Sequence, residues 1–259
     1  MRVRIGFGKV GQAVRTNGTS TTLLHAYERN TTGIAIGLQL GYSHAWGKLR
    51  LHADAKYTII ALGQVKYNLT NGSNQSLLLG VLDQNIGGGL AVGGYFSAAG
   101  GIDLRLRLGV DAWINQISES PPPLVVSNDI LLGMNIGLEF AMPAVFYAAD
   151  RPFGFRLKAG ALAPATRMQQ PNNKTTPSNT TLGGYVGASI FAGVLEAPTK
   201  RGQLHIELSY DFSFAFTHFT GACPPTTSVD ARVCRDDSVD DARYSSSAHI
   251  GTLGLYYQY

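Results

Sequence analysis

From Lys48 to Leu69 the chain alternates apolar and polar residues almost without a break. One parity holds Leu49, Leu51, Ala53, Ala55, Tyr57, Ile59, Ala61, Val65, Tyr67 and Leu69. The other holds Lys48, Arg50, His52, Asp54, Lys56, Gln64, Lys66 and Asn68, with Ile60 and Leu62 out of character. Successive side chains of a strand point to opposite faces, so this segment predicts one long strand with an oily face and a charged one. Strands in most globular domains run about five or six residues, and a strand this long points to a barrel.

The same alternation recurs along the whole chain. Val3, Ile5 and Phe7 oppose Arg2 and Arg4, and Ile34 to Trp46 forms a second strand. Weak, Gly-rich strands lie around Ile86–Phe96 and Val186–Val194. Strong ones set Ile102–Ile114 against Asp103, Arg105, Arg107 and Asp111, Ile130–Phe140 against Glu139, and Phe153–Leu157 against Arg156 and Lys158. Leu204–Phe214 opposes His205, Glu207 and Asp211, and the chain closes on Leu253, Leu255, Tyr257 and Tyr259. No segment carries a 3.6-residue period. The ten strands are joined by two kinds of connection. Joins after the even strands are tight, as at Trp46-Gly47-Lys48, 98–101, 148–152 and 197–202. Joins after the odd strands, near 15–32, 70–85, 116–128, 164–181 and 217–246, are long and rich in Asn, Thr, Ser and Pro. Short turns at one end and long loops at the other, on an even strand count, predict an all-β, antiparallel, up-and-down transmembrane barrel with periplasmic turns and extracellular loops.

Periodicity does not say which face meets water: a soluble lipocalin-like barrel turns its apolar face inward, a membrane barrel turns it to lipid. Aromatics favour lipid. Tyr42, Trp46, Tyr57, Tyr210, Phe212, Tyr257 and Tyr259 share the apolar parity, many near strand ends, as an interfacial girdle requires. Leu253, Leu255, Tyr257 and Tyr259 place apolar residues at every second position up to an aromatic terminus. This ending resembles the C-terminal strand signature that bacterial outer-membrane barrels present to their assembly machinery, with Tyr where Phe is commoner. The resemblance implies the outer-membrane bilayer and that machinery as partners, and a monomeric barrel.

Composition agrees. Hydrophobic residues make up 44% and charged residues 15% of 259, and no run of about eighteen apolar residues exists to form a transmembrane helix. The net charge of +4, without a Lys/Arg block, gives nucleic-acid binding no support. Met1 leads straight into Arg2-Val3-Arg4-Ile5, so for an exported barrel a leader or a preceding domain is expected ahead of Met1. One barrel domain is expected over residues 1–259.

With the polar parity inside, the lumen receives Arg2, Arg4, Arg50, Lys56, Lys66, Arg105, Arg107, Arg156 and Lys158 against Asp54, Asp103, Asp111, Glu139, Glu207 and Asp211. Glu139 is expected between Arg105 and Arg107 on one side and Arg156 and Lys158 on the other, accepting charge-assisted hydrogen bonds. Ten strands barely exceed the eight that side chains alone fill, so these residues plug most of the bore. If the bore conducts, the basic excess favours anions.

Other signals point elsewhere and are weighed against the barrel. Gly6-Phe7-Gly8-Lys9-Val10-Gly11 matches a dinucleotide fingerprint, but Asn17-Gly18 leaves no room for the helix it needs. Its glycines instead relieve crowding in the barrel or mark a bulge. Cys223 and Cys234, the only cysteines, sit in the longest loop and are expected to form a disulfide in an oxidising compartment. The nearby run Asp236-Asp237-Ser238-Val239-Asp240-Asp241 lacks the spacing of a calcium loop, and neither a metal nor a cofactor is expected. Three functions remain. The first is a barrel with a filled, charged lumen that is structural or meets an extracellular ligand through its loops. The second is a narrow, weakly anion-preferring porin-like channel. The third is a surface hydrolase like the ten-stranded omptin proteases, for which Asp111, Asp211, His218 and His249 are the candidates, although they form no paired-Asp or Asp-x-His motif.

Overall fold

A computed structural model describes residues 1–16, 27–69, 76–96, 101–118, 128–148, 150–170, 179–196, 203–220 and 241–258. They form ten strands: β1 (Arg2–Thr16), β2 (Tyr27–Trp46), β3 (Leu49–Leu69), β4 (Ser76–Phe96), β5 (Ile102–Ser118), β6 (Asn128–Ala148), β7 (Arg151–Gln170), β8 (Asn179–Glu196), β9 (Gln203–Thr220) and β10 (Asp241–Gln258). Each pairs antiparallel with its sequence neighbours, and β1 pairs with β10 from Arg2↔Tyr256 to Thr16↔Ala242, closing the barrel. Closure leaves no edge with unpaired backbone groups, which is what a strand-built structure needs inside hydrocarbon.

The strand exteriors are apolar. Leu106, Leu108 and Leu138 are 52%, 50% and 57% exposed, whereas Asp111, on the opposite parity of β5, is 4% exposed. The oily face thus looks outward, the reverse of a soluble barrel. Aromatic side chains mark both edges of this belt. Trp46, Phe96, Phe146 and Tyr147 stand exposed at the turn end. Toward the loop end, the Tyr57 hydroxyl donates to Gln84 Oε1 at 2.8 Å, and Gln84 Nε2 donates to Gln116 Oε1 at 2.9 Å. On the other side of the barrel Tyr210 Oη meets His249 Nδ1 at 2.7 Å. From Leu49 to Tyr57 a strand tilted by about 40° rises roughly 20 Å, close to the apolar band of such barrels. Of the expected girdle, Tyr42, Trp46, Tyr57 and Tyr210 are exposed on the outer face, and the Phe212 ring lies tilted against that of His249 with centroids 4.5 Å apart. Tyr257 is half-buried at the turn end, and Tyr259 lies outside the described residues.

One sequence expectation needs correction. Strands run deep into segments read as loops: β4 begins at Ser76, β7 ends at Gln170, β8 begins at Asn179 and β10 at Asp241. Beyond the lipid both faces meet polar surroundings, so ladder hydrogen bonds continue where alternation is no longer required. Within β3, Ile60 and Leu62, out of character on the charged parity, both point into the barrel and are buried. Immediately after them Gly63 adopts φ 62° at a register shift, where Leu62 and Gly63 together oppose Val81. A left-handed glycine of this kind is the usual seat of a bulge. The β3 side chains past Gly63, that of Lys66 among them, lie outside the described ones.

Leu108→Arg, in the middle of the outward belt between Leu90 and Ile136, should cost about 2–4 kcal/mol of unfolding free energy in lipid vesicles. Urea titration followed by heat-modifiable gel migration measures it.

Candidate functional site: a charged lumen with an apolar layer

The inward parity at the turn end of the barrel is ionic. Asp54 on β3 accepts from Arg107 Nη2 on β5 at 2.5 Å and from Gln39 Nε2 on β2 at 2.6 Å. Arg107 Nη1 also reaches Glu139 on β6 at 3.3 Å. Lys56 Nζ lies 2.7 Å from Asp111, whose other oxygen accepts from Asn135. On the opposite side Glu207 on β9 is ringed by Arg2 at 2.9 Å, Arg4 at 3.6 Å and Arg156 at 3.6 Å. Asp211 takes Lys158 at 2.7 Å and Arg4 at 3.3 Å. Gln39 joins the two halves, because its Oε1 accepts from Arg2 Nη1 at 2.9 Å. An unbroken chain of polar contacts therefore runs Glu207–Arg2–Gln39–Asp54–Arg107–Glu139 around the inner wall.

The expected arrangement around Glu139 is only partly present. Arg107 reaches it, but Arg105 turns to Asp103 on its own strand. Arg156 and Lys158 reach across β8 to Glu207 and Asp211 instead. The inner wall is concave, so long side chains on strands two apart converge over the strand between them. Arg50 stays out of the network: it donates to Gly47 O at 3.1 Å and lies 4.9 Å over the Tyr95 ring, at the turn-end rim.

Convergence over an intervening strand requires that strand to offer no side chain. Lys56 opposes Gly87, and Gly87 opposes Asp111. Lys158 opposes Gly187, and Gly187 opposes Asp211. A Cβ at either glycine would run into the carboxylate and the lysine stem that meet there. These two bridges occupy equivalent places in β3–β5 and β7–β9. At the neighbouring rungs the charges are exchanged: Asp54–Arg107 in one set, Arg156–Glu207 in the other. The strands leading into them, Gly33–Tyr42 (GIAIGLQLGY) and Gly133–Met142 (GMNIGLEFAM), share the same pattern. They also share register, with Gly41↔Asp54 matching Ala141↔Arg156. The ionic layer is built twice from one four-strand plan. A search for internal repeats would have found this spacing, and with it Gln39, which occupies the position of Glu139.

Toward the loop end the lumen becomes apolar. Val10, Ala35, Ile60, Leu62, Val81, Ala248 and Ile250 form one buried cluster, and Leu131, Leu162 and Ala215 form another. Trp113 packs against both. Ile60 is 2% exposed and fills the place a side chain at Gly8 would need, so the glycines of the Gly6–Gly11 motif serve close packing. Above this layer Arg167, 1% exposed, sits 3.7 Å over the Tyr244 ring and donates to Ser246 Oγ at 2.9 Å. A cavity of about 490 Å³ runs along the ionic wall and past the apolar layer to Arg167.

The four hydrolase candidates do not converge. Asp111 and Asp211 point inward, each onto a lysine, whereas His218 and His249 lie on the outward parity of β9 and β10. Among the described residues no three His, Cys, Asp or Glu side chains are placed to hold a metal. Cys223 and Cys234 lie outside the described residues, so the expected disulfide has no structural support.

No family model and no curated protein matches the sequence. Solved structures match the fold. The outer-membrane protease OmpT of Escherichia coli aligns at TM-score 0.51 and 8% identity, over 99% of this chain and 96% of that one. The transport unit of the autotransporter AIDA-I from Escherichia coli aligns at 0.47 and 12% identity, over 100% and 90% of the two chains. The Pseudomonas putida toluene transporter TodX aligns at 0.32 and 8% identity, over 98% and 88%. The fold is that of a bacterial outer-membrane β-barrel, and the outward apolar belt places the chain across a lipid bilayer.

Arg107→Leu strands the buried Asp54 carboxylate and should cost about 3–5 kcal/mol. Adding Asp54→Leu removes the stranded charge and should recover most of that loss, giving a coupling energy in a double-mutant cycle measured by urea unfolding in vesicles.

Proposed function

We propose that this chain is a single-domain, monomeric outer-membrane barrel whose lumen is closed. On this reading it acts without catalysis, as a scaffold that holds its Asn-, Thr-, Ser- and Pro-rich connections at the cell surface. The apolar layer around Trp113 carries this reading. Its two clusters draw residues from every strand except β8, which presents Gly183 against Leu162 and Ala215. A hydrated ion crossing such a layer must shed water without gaining polar partners, and apolar constrictions of this kind close pores by dewetting. The ion pairs beneath it serve the same end, bracing the wall by linking strands two apart. The absence of convergence among Asp111, Asp211, His218 and His249 supports the non-catalytic part of the reading.

The experiment is planar-bilayer conductance of the purified barrel. Native protein should show no steady openings, while Ile60→Ser combined with Leu162→Ser, which makes the layer polar and smaller, should produce them. Steady anion-preferring openings of the native barrel would overturn the closed lumen in favour of a porin-like channel.

A further inference from the structure

The cavity that the ion pairs leave unfilled has two unlike ends. At the turn end its wall includes Met1 and Ser43, both exposed. At the loop end it runs to Asn115 and Arg167, both buried. Among the described residues it is a blind chamber with its mouth toward the short turns, so it is filled from the compartment those turns face.

Its wall is cationic in two respects. Eight Arg and Lys side chains line it against five carboxylates, because Glu207 and Asp103, the partners of the lining Arg2, Arg4, Arg156 and Arg105, lie behind the wall. The ion pairs also present their two ends unequally. Lys56 is 29% exposed where Asp111 is 6%, and Arg156 is 27% exposed where Glu207 is 1%. Arg105 is likewise more exposed than its partner Asp103, Lys158 and Asp211 are comparable, and Arg107–Glu139 and Arg4–Asp211 run the other way. Asp103, Asp111 and Glu207 are thus recessed against the strands, and the Arg105, Lys56 and Arg156 heads stand toward the space. Low-dielectric walls around an excess of one sign concentrate counter-ions of the other. Guanidinium forks match the planar or tetrahedral oxygens of carboxylate and phosphate.

From this geometry we infer that the lumen chamber binds a small soluble oxyanion, a phosphate or a carboxylate, drawn from the turn side. The site is independent of conduction: a sealed barrel holds such a ligand as a pocket, and an open one would hold it in passage.

Trp113 lines the chamber and Trp46 is the only other tryptophan, on the outer face. In a Trp46→Phe background, Trp113 fluorescence therefore reports on the chamber alone. Quenching by iodide should exceed quenching by caesium several-fold, and inorganic phosphate or citrate should suppress the iodide effect saturably at constant ionic strength. Arg156→Gln and Lys56→Gln, checked for folding by heat-modifiable migration, should weaken both effects. Where either variant fails to fold, competition in the Trp46→Phe barrel decides. Equal quenching by caesium, or iodide quenching untouched by both oxyanions, would overturn the inference. Conductance would stay silent in that case, so the closed-lumen reading and the oxyanion site fail separately.

Discussion

Ionised side chains have no tolerable place in hydrocarbon, and every other feature of this barrel follows from that constraint. Each strand must send its charges to one face, and closing the sheet turns that face inward. Once inside, Arg107, Asp54, Glu207 and their neighbours share a narrow, poorly hydrated space where each charge is costly unless it meets its opposite. Pairing across a concave wall then demands gaps, which Gly87 and Gly187 supply on the strands being crossed. The oily exterior, the ionic interior and the placement of these two glycines are one solution read at three scales.

The lumen is stratified along its axis. Near the turns the wall is a polar chain linked through Gln39, and nearer the loops it gives way to Ile60, Leu162 and Trp113. The two strata do different work. Ion pairs tie strands two apart, and the apolar layer packs the inward side chains of the bore above them. The double use of one four-strand plan explains why the ionic layer is balanced around the barrel. Exchanging the signs of Asp54–Arg107 and Arg156–Glu207 between the halves keeps each bridge while redistributing charge around the wall.

Much of this architecture was legible in the chain, and the gaps have physical causes. Strict alternation identified the outward residues of every strand because lipid contact penalises each exception. Strand ends near Ser76 and Asn179 were not legible, since outside the bilayer hydrogen bonding persists without any demand on side chains. Ile60 and Leu62 stood out as exceptions, but their packing with Val10 and Ile250 joins strands far apart in sequence, which alternation along one strand does not reveal. The members of the charged lumen could be named from parity. Their partners could not, because Lys158 meets Asp211 across a strand rather than Glu139 on the adjacent one.

The inside-out placement of the two parities is the central claim, and spin-label accessibility in vesicles tests it most directly. With Cys223 and Cys234 replaced by serine, single labels at Leu90, Leu108 and Ile136 probe the outward face, and a label at Ser213, which lines the lumen cavity, probes the inward face. The outward labels should be relaxed strongly by oxygen and hardly at all by a water-soluble nickel chelate, while the inward label is shielded from oxygen dissolved in the lipid. Strong nickel relaxation at Leu90, Leu108 and Ile136 would mean that the apolar face does not meet lipid, and would contradict the account.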